Sequence, residues 1–129
     1  MPRGYSRKRT SVHNLHYHFV WCPKYRKPVL TGEVADLLEQ LIEEKADELD
    51  LDILRLAVQP DHVHLFITGN PKLAPNKIIQ QVKGYTSRNL REEFDFGLPS
   101  LWTRSYFVSS AGEVSSETIE EYIEAQTGQ

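Results

Sequence analysis

The sequence has 129 residues, 26% charged and 40% hydrophobic, with a formal net charge of −3 and one cysteine. That length suits a single domain with its own core, and the composition is that of an ordinary globular chain rather than a disordered one. No apolar run approaches the ~18 residues of a membrane span, and no apolar h-region follows the basic N-terminus. Cys22 has no second cysteine to pair with, so a reducing, cytoplasmic setting is expected.

The charges are segregated along the chain. Residues 1–32 hold Arg3, Arg7, Lys8, Arg9, Lys24, Arg26 and Lys27 and no acid, while acids crowd 33–52, 92–95 and 113–124. A basic segment on an acidic chain still attracts a polyanion locally. Residues 1–12 read as a flexible basic arm. Residues 13–22 then alternate, with Leu15, Tyr17, Phe19 and Trp21 on one face and Asn14, His16, His18 and Val20 on the other. That is a strand, and Pro23 ends it. The loop Lys24-Tyr25-Arg26-Lys27-Pro28 mixes cations with an aromatic ring, a combination suited to phosphate contact and base stacking. Arg9, Lys24 and Arg26 are chosen by charge and position as DNA-contact candidates.

Thr31 is placed to cap a helix over 33–49. Val34, Leu37, Leu38, Leu41, Ile42 and Leu49 form its apolar stripe, opposite an acidic face unsuited to DNA. Residues 52–58 make a second strand. The Gln59-Pro60-Asp61 turn leads into a third strand carrying His62, Val63, His64, Leu65, Phe66 and Ile67. Side chains alternate along a strand, so His62, His64 and Phe66 share one face and the aliphatic residues take the other. Two imidazoles held side by side on a rigid strand can chelate one divalent ion. A half-buried strand with polar residues on its wet face explains the same pattern, so the metal reading needs support elsewhere.

Pro75 suits the first turn of a helix over 75–91. Ile78, Ile79, Val82, Tyr85 and Leu90 face its core side, while Lys77, Gln81, Gly84 and Arg88, with Lys83 and Ser87 beside them, make a cationic and polar face. Lys83 and Arg88 join the DNA-contact candidates. A fourth strand is expected over 102–110, broken by Ala111-Gly112. Ser115 then caps a last helix within 113–127, with Val114 as a hydrophobic staple. Ile119, Tyr122, Ile123 and Gln126 fall on one face of it.

The order predicts an α+β, ferredoxin-like (RRM-like) βαββαβ antiparallel sheet with an added C-terminal helix, all in one domain. That fold hosts many functions and decides none. The last helix adds chemistry. Gln126 offers a neutral carbonyl oxygen, and two His with one Gln leave positions open on a hard divalent ion, which suits Mg²⁺ or Mn²⁺. A Tyr122 hydroxyl one turn away can serve as a nucleophile if a neighbour activates it, since its free pKa is about 10. Core packing beside Ile119 and Ile123 would explain the same tyrosine.

Four stretches together make the sequence recognisable: Tyr17-His18-Phe19-Val20-Trp21-Cys22-Pro23-Lys24-Tyr25-Arg26, Gln59-Pro60-Asp61-His62-Val63-His64, Trp102-Thr103-Arg104-Ser105-Tyr106-Phe107, and Tyr122 with Gln126. The chain resembles the single-tyrosine transposases of the HUH endonuclease superfamily, from the small insertion sequences that move as single-stranded DNA. The resemblance covers about residues 13–126. It implies that His62, His64 and Gln126 hold the metal and that Tyr122 attacks a scissile phosphate, forming a 5′-phosphotyrosine link and freeing a 3′-hydroxyl. It also implies homodimers that bind single-stranded DNA with hairpins at element ends, with the tyrosine helix in cis or in trans about a hinge at 110–112. A covalent intermediate conserves the phosphodiester bond energy, and no Gly-rich nucleotide loop is present, so no nucleotide cofactor is expected. Three alternatives remain at this stage. One is a repeated-palindrome-associated tyrosine endonuclease of the same superfamily. Another is a non-enzymatic nucleic-acid-binding module of the same fold, stacking bases on Tyr17, Phe19 and Trp21. The last is a metal-dependent hydrolase without a covalent step.

Overall fold

The computed structural model describes residues 15–110 and 115–129. The basic arm with Arg9, residues 111–112 of the hinge expected at 110–112, and the Val114 staple lie outside the described residues. Strand β1 (His16–Trp21) leads through a short 3-10 turn at Lys24–Arg26 to helix α1 (Gly32–Glu48). Strands β2 (Ile53–Gln59) and β3 (His62–Thr68) form a hairpin, followed by α2 (Pro75–Glu93), β4 (Phe107–Ser109) and α3 (Ser116–Ala125).

The strands assemble in the order β2-β3-β1-β4, every neighbouring pair antiparallel. This is the expected ferredoxin-like arrangement, and it places the histidine strand at the centre. Phe19 lies opposite Leu65 and Val20 opposite His64 across β1 and β3. Gln59 faces His62 across the hairpin.

Alternation along the strands separates two faces. Phe19, Trp21, Val63, Leu65 and Ile67 point to the helical side, where they are fully buried with Leu38 and Ile42 of α1 and Ile78, Ile79, Val82 and Leu90 of α2. Tyr17 joins them, so the three aromatic residues of β1 pack in the core rather than forming a base-stacking surface. Thr31 occupies the N-cap position of α1, but its hydroxyl makes no capping hydrogen bond. Ser115 does cap α3, its Oγ accepting from the Thr118 amide at 3.3 Å.

The fourth strand is shorter than the 102–110 expected. Trp102 makes only an isolated bridge to Pro23. Its ring is drawn into the core, edge-on to Trp21 at 5.9 Å, and its indole Nε1 donates to Thr86 Oγ1 at 3.1 Å. Lys83 Nζ donates to the carbonyls of Thr103 at 2.7 Å and Ser105 at 2.9 Å. Those acceptors serve a side chain from α2 instead of a strand ladder, and pairing with β1 begins at Phe107.

Candidate active site

His62 and His64 leave the centre of the sheet on the face opposite α1 and α2. The rigid strand brings their Nε2 atoms to 2.9 Å of each other. Two ligands about 2.1 Å from one ion and at right angles to each other lie about 3.0 Å apart, so the pair has the spacing of adjacent ligands. Behind it, Asp61 Oδ1 lies 2.8 Å from His62 Nδ1. Burial raises the Asp61 pKa, but hydrogen bonds from Arg26 and His62 outweigh it and hold the carboxyl below its ordinary range. An ionised carboxylate only accepts, so His62 donates from Nδ1, and its Nε2 is left facing His64. His64 is pushed down to about 4 by burial, with His62, His18 and Arg55 adding to the effect. It is therefore a neutral imidazole at pH 7, the form that binds metal.

The pair opens into a cavity of about 470 Å³ between the sheet and α3. His18, Arg55, Gln59 and Phe66 line it from the sheet, and Ser116, Ile119, Glu120 and Ile123 line it from the helix. Among the described residues, no group of three His, Cys, Asp or Glu side chains gathers into a metal site. The carbonyl oxygen of Gln126 is a donor of another kind, suited chemically to a hard divalent ion.

Tyr122 and Gln126 do share one side of α3, but it is the side turned away from this cavity. Ser105 Oγ donates to Gln126 Oε1 at 2.7 Å and lies 3.3 Å from the Tyr122 hydroxyl. Phe107 flanks the tyrosine ring at 6.1 Å. Burial raises the Tyr122 pKa, against a smaller opposing effect of the Ser105 hydrogen bond. In this arrangement the hydroxyl stays protonated and engaged. The structure thus brings His62 and His64 together and Tyr122 and Gln126 together, as two separate pairs.

The basic candidates divide in the same way. Lys24 sits over the Tyr25 ring at 5.6 Å in the 3-10 turn. Arg88 is exposed on α2. Lys83 is spent on the two carbonyls of the 103–105 segment, and burial lowers its pKa to about 8. Arg26 is committed to Asp61, Glu124 and Thr127. Burial pushes the Cys22 thiol up to about 12, which makes it inert. Sequence reasoning assigned Asp61 only to a turn and gave Ser105 no role. For Asp61 the signal was present, because an acid adjoining a candidate ligand is placed to orient it.

Fold and site together define an antiparallel-sheet domain with a paired-histidine site beneath a tyrosine-bearing helix. Residues 11–126 match the family described as Transposase IS200 like. The chain belongs to this family of IS200-like transposases, which makes it a DNA-cleaving enzyme. It is 35% identical to the ISDra2 transposase TnpA of Deinococcus radiodurans, over 98% of this chain and 94% of that one. It is 27% identical to the transposase for insertion sequence element IS200 of Salmonella typhimurium, over 88% and 77% of the two chains. A crystal structure of a candidate transposase from Deinococcus radiodurans superposes with a TM-score of 0.81 at 33% identity, covering 94% of this chain and 97% of that one. The REP-associated tyrosine transposase bound to a REP hairpin shares the fold, with a TM-score of 0.60 at 14% identity, over 89% and 66% of the two chains. Among the described residues no helix is long and apolar enough to cross a membrane.

Proposed function

We propose that this transposase cleaves and rejoins single-stranded DNA at hairpin-bearing element ends through a 5′-phosphotyrosine intermediate on Tyr122. The observation that carries the reading is the 2.9 Å approach of the two Nε2 atoms, with Asp61 orienting one ring. His62 and His64 would hold Mg²⁺ or Mn²⁺, with Gln126 as the third ligand once α3 turns. Bound there, the ion would polarise the scissile phosphate and stabilise the charge developing on it. The Tyr122 hydroxyl would give up its proton as its oxygen bonds to phosphorus and the bond to the 3′-oxygen breaks, and the departing 3′-oxygen would take up a proton in turn. The reverse attack by a second 3′-hydroxyl joins new ends. Lys24 and Arg88 are the described cations proposed for the DNA backbone; Arg9, also a candidate by charge, lies outside the described residues.

The separation of the two pairs in one chain favours a reaction that needs α3 to reseat, either on its own sheet or on that of a second copy in a homodimer. Mixing Tyr122→Phe with His64→Ala subunits distinguishes them. Cleavage restored in the mixture means sharing between copies, and none means each copy uses its own helix.

The decisive experiment incubates oligonucleotides from the two flanks of the gene with protein and Mg²⁺ or Mn²⁺. A covalent protein–DNA adduct on a denaturing gel, lost without metal and lost in Tyr122→Phe, is the expected result. Cleavage that survives in Tyr122→Phe without an adduct would replace this reading with a metal hydrolase.

A further inference from the structure

Arg26 joins the two halves of the site. Its Nε donates to Asp61 Oδ2 at 2.7 Å, and the other oxygen of that carboxylate meets His62 Nδ1 at 2.8 Å. Its Nη1 reaches in the opposite direction, to Glu124 Oε2 at 3.3 Å and Thr127 Oγ1 at 3.2 Å at the end of α3. One guanidinium therefore runs from the last turn of the tyrosine helix to the back of a histidine of the pair. The backbone is shaped for this reach. Tyr25 and Arg26 both adopt left-handed φ values, 58° and 54°. The Tyr25 amide donates to the Gln129 carbonyl at 2.8 Å, tying the same turn to the residues after α3. Such conformations in non-glycine residues persist where the surroundings hold them, and they cluster at functional sites.

The two ends of the bridge differ. The Asp61 contact is short and part-buried, whereas Glu124 stands 81% exposed at a longer distance. An exposed ion pair is worth little and is easily exchanged.

We infer that Arg26 is a positioning residue of the transposase and not a phosphate contact. Through Asp61 it fixes which nitrogen of His62 faces the metal position, and through Glu124 and Thr127 it makes that orientation sensitive to the seating of α3. The inference rests on the metal reading of the histidine pair. Lysine cannot replace the arginine fully, because a single ammonium has no planar fork to face two partners at once.

The test uses the full chain without DNA. Mn²⁺ is titrated and followed by electron paramagnetic resonance, and hydrogen exchange of the α3 amides is measured in parallel. Arg26→Ala is expected to weaken Mn²⁺ binding about tenfold, the lower end of what partners behind a ligand are worth, and Asp61→Asn by at least as much. Arg26→Lys recovers part of the metal affinity and leaves α3 exchanging faster than in the unmodified chain. Glu124→Gln combined with Thr127→Val is expected to speed exchange in α3 and also to weaken Mn²⁺ binding, by less than Arg26→Ala does; faster exchange with unchanged Mn²⁺ affinity would overturn the coupling to α3. Wild-type Mn²⁺ affinity in Arg26→Ala would overturn the inference. If Arg26→Ala does not fold, Asp61→Asn, which keeps the side-chain shape, decides the metal limb and the Glu124/Thr127 variant decides the helix limb. A protein whose Mn²⁺ affinity is indifferent to His64→Ala would overturn the metal reading itself, and the inference with it.

Discussion

Helices α1 and α2 seal one face of the sheet over Phe19, Trp21, Val63, Leu65 and Ile67, all fully buried, while α3 meets the other face through Val20, Cys22, Ile119 and Ile123. The first face is continuous and dry. The second surrounds a cavity and carries every side chain proposed for chemistry. Burying Ile119 and Ile123 supplies about 1.5–3 kcal/mol each before the ordering of ten helical residues is counted. Stability is thus concentrated on one side of a single sheet, and the side proposed to admit DNA is held by an element near the margin of independent docking.

The contrast can be broken first where it should be strongest. Phe19→Ala on the closed face is expected to cost about 3–5 kcal/mol in denaturant unfolding, since it leaves a cavity between packed layers. Ile123→Ala removes a side chain of similar burial from the thin face. Its cost should be about 2 kcal/mol or less, read mainly as faster hydrogen exchange in α3 with little change in the global midpoint. Equal global losses for the two variants would mean that α3 is as integral as the other helices.

The smallest effect lies in pH. His64 titrates at about 4 in the folded chain against 6.5 for the free side chain. Between those values the unfolded chain binds a proton that the folded chain does not, so stability falls as pH drops from 6.5 toward 4. The loss should be about 1 kcal/mol after discounting partial exposure. A metal-free melting series across that range should show it, and His64→Gln should flatten it.

Much of this architecture was legible in the residues. The alternation from His62 to Ile67 gave the faces of β3 correctly, because a residue pointing into a closed core has to be apolar. The helix stripes were legible for the same reason. The length of β4 was not, because nothing local to Trp102–Ser105 announces that Lys83, about twenty residues earlier, captures its carbonyls. Charge reading also treated Arg26 and Lys83 as available for DNA, since a cation's composition is the same whether it faces solvent or a carboxylate far along the chain. The spacing of Tyr122 and Gln126 placed them together, as they are. It did not say that Ile119 and Ile123 turn toward the cavity while the Tyr–Gln pair turns toward Ser105, because an apolar helical stripe is broad and its two edges meet different neighbours.

The left-handed turn at Tyr25 and Arg26 also bears on engineering. An L-residue in that conformation gives up about 1–2 kcal/mol that glycine would not. Gly at position 26 would relieve that cost but leave the part-buried Asp61 carboxylate without its guanidinium partner, so the local relief is offset by the lost ion pair. The strained turn is thus kept by the side chain it carries, and relief of backbone strain there is inseparable from loss of a contact that reaches the histidines only through Asp61.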